Sequence, residues 1–197
     1  AEVDGNYTRA DAIEKGGGLP DTRIPETDHR MIGLRAGARL NDAMDIRVRA
    51  RLFRDRQDGV ESSLVPNLGR FVTDLPAQTD RYTLHVIHVT KLPNRASLRL
   101  TMGRQQFENF TANDRRDSPI DERHDRRQRM QSLEAVATVP TGPLTNVFGT
   151  RFEAEHFEQD VTKVASTSNG PVPTTTPEVT PLAYGIAAFY AQTTWAI

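Results

Sequence analysis

From Ile32 to Leu52 apolar and polar residues take turns. Ile32, Leu34, Ala36, Ala38 and Leu40 fall on one side of an extended chain, with Gly33, Arg35, Gly37 and Arg39 on the other. A helix would scatter these residues around its circumference, so the period of two predicts a strand. Met44, Ile46, Val48, Ala50 and Leu52, alternating with Asp45, Arg47, Arg49 and Arg51, predict a second. Facing residues in a hairpin point the same way, and pairing Leu40 with Met44 around Asn41-Asp42-Ala43 keeps both aliphatic sets together. That register sets Arg39 against Asp45, Gly37 against Arg47 and Gly33 against Arg51, glycine leaving room for a long side chain. It also sets Arg35 against Arg49, which is unfavourable unless a neighbouring strand supplies an acid.

The pattern recurs along the chain. Strands are predicted over 82–92 and 95–103 around the turn Pro93-Asn94, with a slip of alternation at Val86-Ile87 that reads as a β-bulge. Two more, 132–139 and 144–155, flank Pro140-Thr141-Gly142-Pro143, and a last runs from about Tyr184 to Trp195. With a short strand over 2–7 the count reaches eight. Short turns at one rim alternate with long polar segments, 55–80, 109–129 and 158–182, which read as loops at the other. Loops of that length are uncommon in compact soluble domains, whereas outer-membrane barrels combine short turns with long loops. The expectation is all-β: one antiparallel transmembrane barrel domain over 1–197 of about eight strands, or an arc of a larger barrel.

Alternation alone leaves the apolar face open to lipid or to a soluble core, as in a β-sandwich or small barrel that binds an apolar ligand. Small residues on that face, Ala36, Ala38, Ala50, Ala96, Ala135 and Ala137, fill a core poorly but are tolerated against lipid. Aromatics near predicted strand ends, Phe53, Tyr82, Phe107, Tyr184, Tyr190 and Trp195, read as interfacial girdles. Lipid is therefore the favoured reading, in a bacterial outer membrane.

Composition narrows the chemistry. A net charge of -1 supplies no basic excess for binding nucleic acid. The positive charge is nearly all arginine, with only Lys15, Lys91 and Lys163 as lysines, which suits fixed ion pairs. The absence of cysteine removes disulfides, thiolate metal sites and cysteine nucleophiles together. Neither a cofactor nor a metal is expected.

The arginines carry the functional expectation. Arg35, Arg39, Arg47, Arg49, Arg51, Arg95, Arg99 and Arg151, paired with Asp45, Glu134 and Glu153, would line a lumen. There they would set its field toward anions, or hold a plug or a further barrel chain; structural ion pairs in a blocked barrel are the alternative. His85 and His88, three apart in a strand, face opposite ways and make no chelating pair. His124 lies among carboxylates in the segment 114–127, readable as a cation or phosphate contact surface but more simply as a solvated loop with internal ion pairs. His156 with Glu155 and Asp160 has no spacing typical of a hydrolase, so no enzyme is expected. Residues 171–177, PVPTTTP, read as an extended proline-rich loop.

Two stretches resemble the barrels of TonB-dependent outer-membrane receptors. LTNVFGTRFEAEHFE (144–158) is similar to a strand carrying an apolar-Gly-x-x-aromatic-x-x-Glu pattern before a long loop. AAFYAQTTW (187–195) is similar to an Ala-x-Phe-Ala-Gln-Asp-x-Trp strand, with Thr193 in place of the acid. The resemblance implies uptake of scarce large solutes such as metal chelates. Family members have an N-terminal plug and twenty-two strands, so it also implies that this chain is a portion of a barrel. RLFRDRQD (51–58) resembles, more weakly, strand-to-loop segments of the porin sheath around outer-membrane multihaem cytochromes.

Overall fold

The computed structural model describes residues 2–11, 13–14, 23–65, 69–116, 118 and 121–195. Nearly all of them lie in one antiparallel sheet. Its strands are β1 (Glu2–Ala10), β2 (Ile13–Glu14), β3 (Arg23–Asn41), β4 (Met44–Val65), β5 (Gly69–Lys91), β6 (Ser97–Arg115), β7 (Glu122–Thr141), β8 (Leu144–Thr167) and β9 (Gly170–Trp195). The spatial order is β1-β3-β4-β5-β6-β7-β8-β9, with β2 beside β3, so each long strand pairs with its sequence neighbour. β1 and β9 form the two edges, and the sheet is not closed.

The first hairpin holds the expected pairs Arg39 with Asp45, Gly37 with Arg47, Arg35 with Arg49 and Gly33 with Arg51. Its turn is tighter than expected: Asn41, not Leu40, pairs with Met44, and the register shifts between Arg39 and Asn41. Asn41 Oδ1 accepts from the Ala43 N–H at 2.9 Å, an Asx contact that favours the shorter loop. The expected bulge at Val86-Ile87 is absent, because β4 pairs residue for residue from Thr90 to Gly69. Ile87 faces the polar side between Arg47 and Thr101.

Arg95 is not on a strand. It ends a short turn, Pro93–Arg95, where Asn94 and Arg95 both have positive φ (57° and 63°) and the Ala96 N–H bonds to the Pro93 carbonyl at 3.2 Å. This is the twist that a tight hairpin requires.

The segments expected as long loops are mostly strand. Residues 55–65 and 69–80, 109–115 and 122–129, and 158–167 and 170–182 continue the ladder. Their polarity signals charge paired on the sheet, not irregular chain. Arg56 bonds Asp58 at 2.9 Å, Arg123 bonds Asp125 at 2.8 Å and Arg54 bonds Asp80 at 2.7 Å, each pair on one face. The proline-rich stretch is tolerated because β9 is an edge strand whose outer N–H groups need no ladder partner.

The register defines two faces. One carries Ile32, Leu34, Ala36 and Ala38 of β3, then Leu52, Ala50, Val48 and Ile46 of β4. It continues through Leu84 and Val86 of β5, Leu98, Leu100 and Met102 of β6, and Leu133, Ala135 and Ala137 of β7. Phe148 and Phe152 of β8 and Ala187, Phe189 and Trp195 of β9 complete it. No second layer covers this band among the described residues. Ile32 is 56% exposed, Met102 55% and Phe189 77%, and the only buried hydrophobics described are Val136 and Val161, both 8% exposed. Both lie outside the band, so no soluble core exists on it.

Of the aromatics expected at interfaces, Tyr82 and Trp195 belong to this face. Phe53, Phe107, Tyr184 and Tyr190 lie on the other, because each stands an odd number of residues from the band positions of its own strand.

Candidate functional site

The face opposite the aliphatic band gathers the expected arginines. Arg35, Arg39, Asp45, Arg47, Arg49 and Arg51 lie on it from the first hairpin, and Arg99, Glu134, Arg151 and Glu153 from β6 to β8. Arg95, in its turn, is not brought to this group.

The face has two unlike halves. Across β6–β9, charge is matched in transverse chains. Arg99 donates to Glu134 at 3.4 Å, and Tyr190 donates to the same carboxylate at 3.4 Å from two strands away. The Tyr190 ring lies over Gly149, its direct partner, where any Cβ would collide with it. An aromatic covering a cross-strand glycine in this way seals a gap in the sheet, and Val136, between Arg99 and Gly149, is buried beside it. One step farther along, Tyr184 donates to Glu155, which also accepts from Gln128 at 2.5 Å, and Arg151 bonds Glu153.

Across β3–β5 the charge is only partly matched. Among the described residues no carboxylate stands within ion-pair distance of Arg47, Arg49 or Arg51. Arg39 reaches Asp45 at 3.6 Å. The like-charged pair Arg35 and Arg49 receives the acid it requires from β1, where Glu2 lies opposite Arg35 at 4.0 Å. The space above Gly33 is filled by the Asp4 carboxylate and not by Arg51. Asp4, Arg35, Arg49, Arg51, Thr83 and His85 surround a shallow cavity of 220 Å³ on this half. Guanidinium groups gathered on adjacent strands are suited to carboxylate or phosphate oxygens.

Tyr184, Tyr190, Glu155, Gln128, Glu2 and Asp4 are absent from the sequence-based group. Alternation carried back from Trp195 places both tyrosines opposite Ala187 and Phe189, so that signal was present; the partnership of β1 with β3 is long-range and left none.

Far from the band, toward the distal turns, His124 stands between two carboxylates. Its Nδ1 lies 2.7 Å from Glu178 and its Nε2 3.0 Å from Glu122, which also meets Lys163 at 3.2 Å. Glu178 further accepts from Gln159 at 2.6 Å. The hydrogen bond to Glu178, with the charges of Glu178 and Glu122, holds the imidazole above its ordinary pKa, and the same bond holds Glu178 below the usual carboxylate range. Pairing shifts twice between Phe157 and Asp160, and these irregularities bring Glu178 of β9 across β8 to β7. The cluster is an internal ion-pair network, and among the described residues no group of acids and histidines is arranged to hold a metal.

Comparison with known proteins locates the fold. No family model matches the chain. No curated protein matches it. Among solved structures, the open form of the ferric-catecholate import receptor Fiu from E. coli K12 superposes with a TM-score of 0.58 at 11% identity. The match covers 91% of this chain and 35% of the receptor. The sheet is similar in fold to part of that barrel's wall. This chain spans about a third of that receptor's length, in keeping with an open arc and not a closed cylinder.

Proposed function

We propose that the chain forms part of the wall of a bacterial outer-membrane β-barrel, its aliphatic face against lipid and its arginine face lining a passage or receptor lumen for solute uptake. Membrane lipid is then one partner, and further barrel strands or a plug the other. The reading is of transport or reception, not of catalysis.

The uncovered aliphatic band carries this reading. From Ile32 to Leu40 it is nine residues, about 27 Å along the strand and about 22 Å high at a strand tilt of about 35°, close to the apolar band of an outer-membrane barrel. Its distal edge is abrupt: Ile32 and Leu52 give way to Arg30 and Arg54 at the next same-face positions. Its short-turn edge is stepped. Phe148 of β8 lies in the same hydrogen-bonded row as Met44 of β4, yet β8 runs four residues farther, to Leu144, before its turn. Four residues over four strand spacings correspond to a tilt of about 35°, within the range of transmembrane barrels. Aliphatic side chains left open to water would cost about 25 cal/mol for each Å², and lipid removes that cost.

Neighbouring substitutions on opposite faces test the reading. In the chain folded into phosphatidylcholine vesicles, Val86→Lys is expected to destabilise by about 2–4 kcal/mol in urea unfolding. Ile87→Lys, one residue on but facing the arginines, is expected to cost less than about 1 kcal/mol. Equal costs would contradict the assignment of faces.

A further inference from the structure

We propose that the outward face carries a docking site for a phosphorylated lipid at the distal edge of the aliphatic band, with Arg104 of β6 and Arg129 of β7 holding the phosphate. The inference rests on the lipid-facing assignment above and adds a specific lipid partner to it.

Arg104 pairs with Gln131, and Gln106 pairs with Arg129, so the four side chains form a square on the outward face with the guanidinium groups on one diagonal. Diagonal neighbours in antiparallel strands are about 7–8 Å apart, within reach of one ligand for side chains of this length. Four outward arginines farther from the band are matched to acids: Arg30 to Asp28, Arg54 to Asp80, Arg123 to Asp125 and Arg127 to Glu158. Arg104 and Arg129 are not. Among the described residues neither has a carboxylate within ion-pair distance, and both are exposed. The nearby acid Glu108 is engaged by Gln106 at 2.8 Å, and Glu158 lies 3.6 Å from His156, the cross-strand partner of Arg129.

Below the square lies a trough of 610 Å³ lined by Leu84, Val86, Met102, Leu133 and Phe152. Arg104 and Gln131 of the square line it too, so it leads from the Arg104 guanidinium group into the band, as an acyl chain leads from its headgroup, while Arg129 borders the adjoining depression beside Gln131 and Ala154. The two unpaired cations thus stand where headgroup phosphates lie, above an apolar channel. Guanidinium forks bind phosphate oxygens in pairs, and basic residues near an anionic surface each strengthen attraction about fivefold. A soluble phosphate would use the square but not the trough, so charge and shape together specify a lipid.

Selectivity between spin-labelled lipids tests this. The full chain is folded into phosphatidylcholine vesicles, recovered by flotation, and probed with spin-labelled phosphatidic acid against spin-labelled phosphatidylcholine. The motionally restricted fraction is expected to favour phosphatidic acid by up to about twenty-five-fold, and Arg104→Gln with Arg129→Gln to bring the ratio close to one. Arg47→Gln with Arg49→Gln, on the opposite face, should leave the preference intact. Retention of the preference in the Arg104/Arg129 double variant would overturn the site, as would its abolition by 50 mM inorganic phosphate, which would indicate an anion site without lipid. A chain that floats and shows no preference refutes the site alone. Failure to float refutes the membrane reading as well.

Discussion

The residues that depart most from ordinary backbone or solvation lie at a turn and in the charged region beyond the aliphatic band. Arg95 holds a positive φ that costs a side-chain-bearing residue about 1 kcal/mol relative to glycine. Arg95→Gly is therefore expected to stabilise the folded chain by up to about 1 kcal/mol, reduced by the greater freedom of glycine when unfolded, as read by urea unfolding in vesicles. Asp80 is buried apart from its contacts with Arg54 and Gln78. Burial pushes its carboxyl up, but the hydrogen bonds from Arg54 and Gln78 outweigh this and hold it below the usual range. Arg54→Gln leaves the carboxylate with weaker partners and is expected to cost about 1–2 kcal/mol. Because the folded pKa is depressed, that contribution is present above the ordinary aspartate value and fades as pH falls through the folded one. A variant equally stable at neutral pH would contradict it. At this scale the sequence was informative about neighbours within a hairpin, such as Arg39 with Asp45, and silent about Asp80, whose partner is twenty-six residues away.

At the scale of elements, β9 is the edge strand that side chains must hold. The Tyr190–Glu134 and Tyr184–Glu155 contacts fasten its half beside the band, and the His124–Glu178 bridge fastens its proline-rich half. The raised imidazole keeps the bridge ionic below its ordinary value of 6.5, and the attraction is lost as pH rises through the higher folded value. Glu178 stays ionised down through its ordinary value of 4.5 and is protonated only below it. The bridge is thus complete between about 4.5 and 6.5. Limited proteolysis within 170–182 should be slowest in that window and quicken toward alkaline pH, and His124→Gln should remove the dependence. Unchanged cleavage across the window would contradict the latch. Period-two alternation made the band-height strands legible. It did not reveal their length, because charged residues that satisfy one another across a ladder look, in one dimension, like the polar residues of a loop. The same ambiguity put Phe53 and Phe107 near strand ends, whereas both lie well inside β4 and β6.

For the whole molecule, the described residues form one sheet with an uncovered aliphatic face and an arginine-bearing face, and the proposed bilayer setting removes the cost of leaving the first in water. The all-β antiparallel architecture was readable from residues 32–52 and their repeats; the open edges came only as what the resemblance implied, since alternation is the same in an arc and in a closed barrel. The division of the polar face into a matched half and a cationic half depends on which strands are neighbours, and that is a property of topology. With the aliphatic face against lipid, Ala135 and Ala137 meet acyl chains while Val136 and Thr138, on the opposite side, do not. Because the chain has no cysteine, a spin label can be placed at each of these four positions in turn and its collision rates with oxygen and with a water-soluble nickel complex measured in vesicles. Oxygen accessibility should peak at 135 and 137 and fall at 136 and 138, with nickel accessibility low at the first pair. Labels at 135 and 137 that meet the nickel complex freely, or four positions without alternation, would contradict the account.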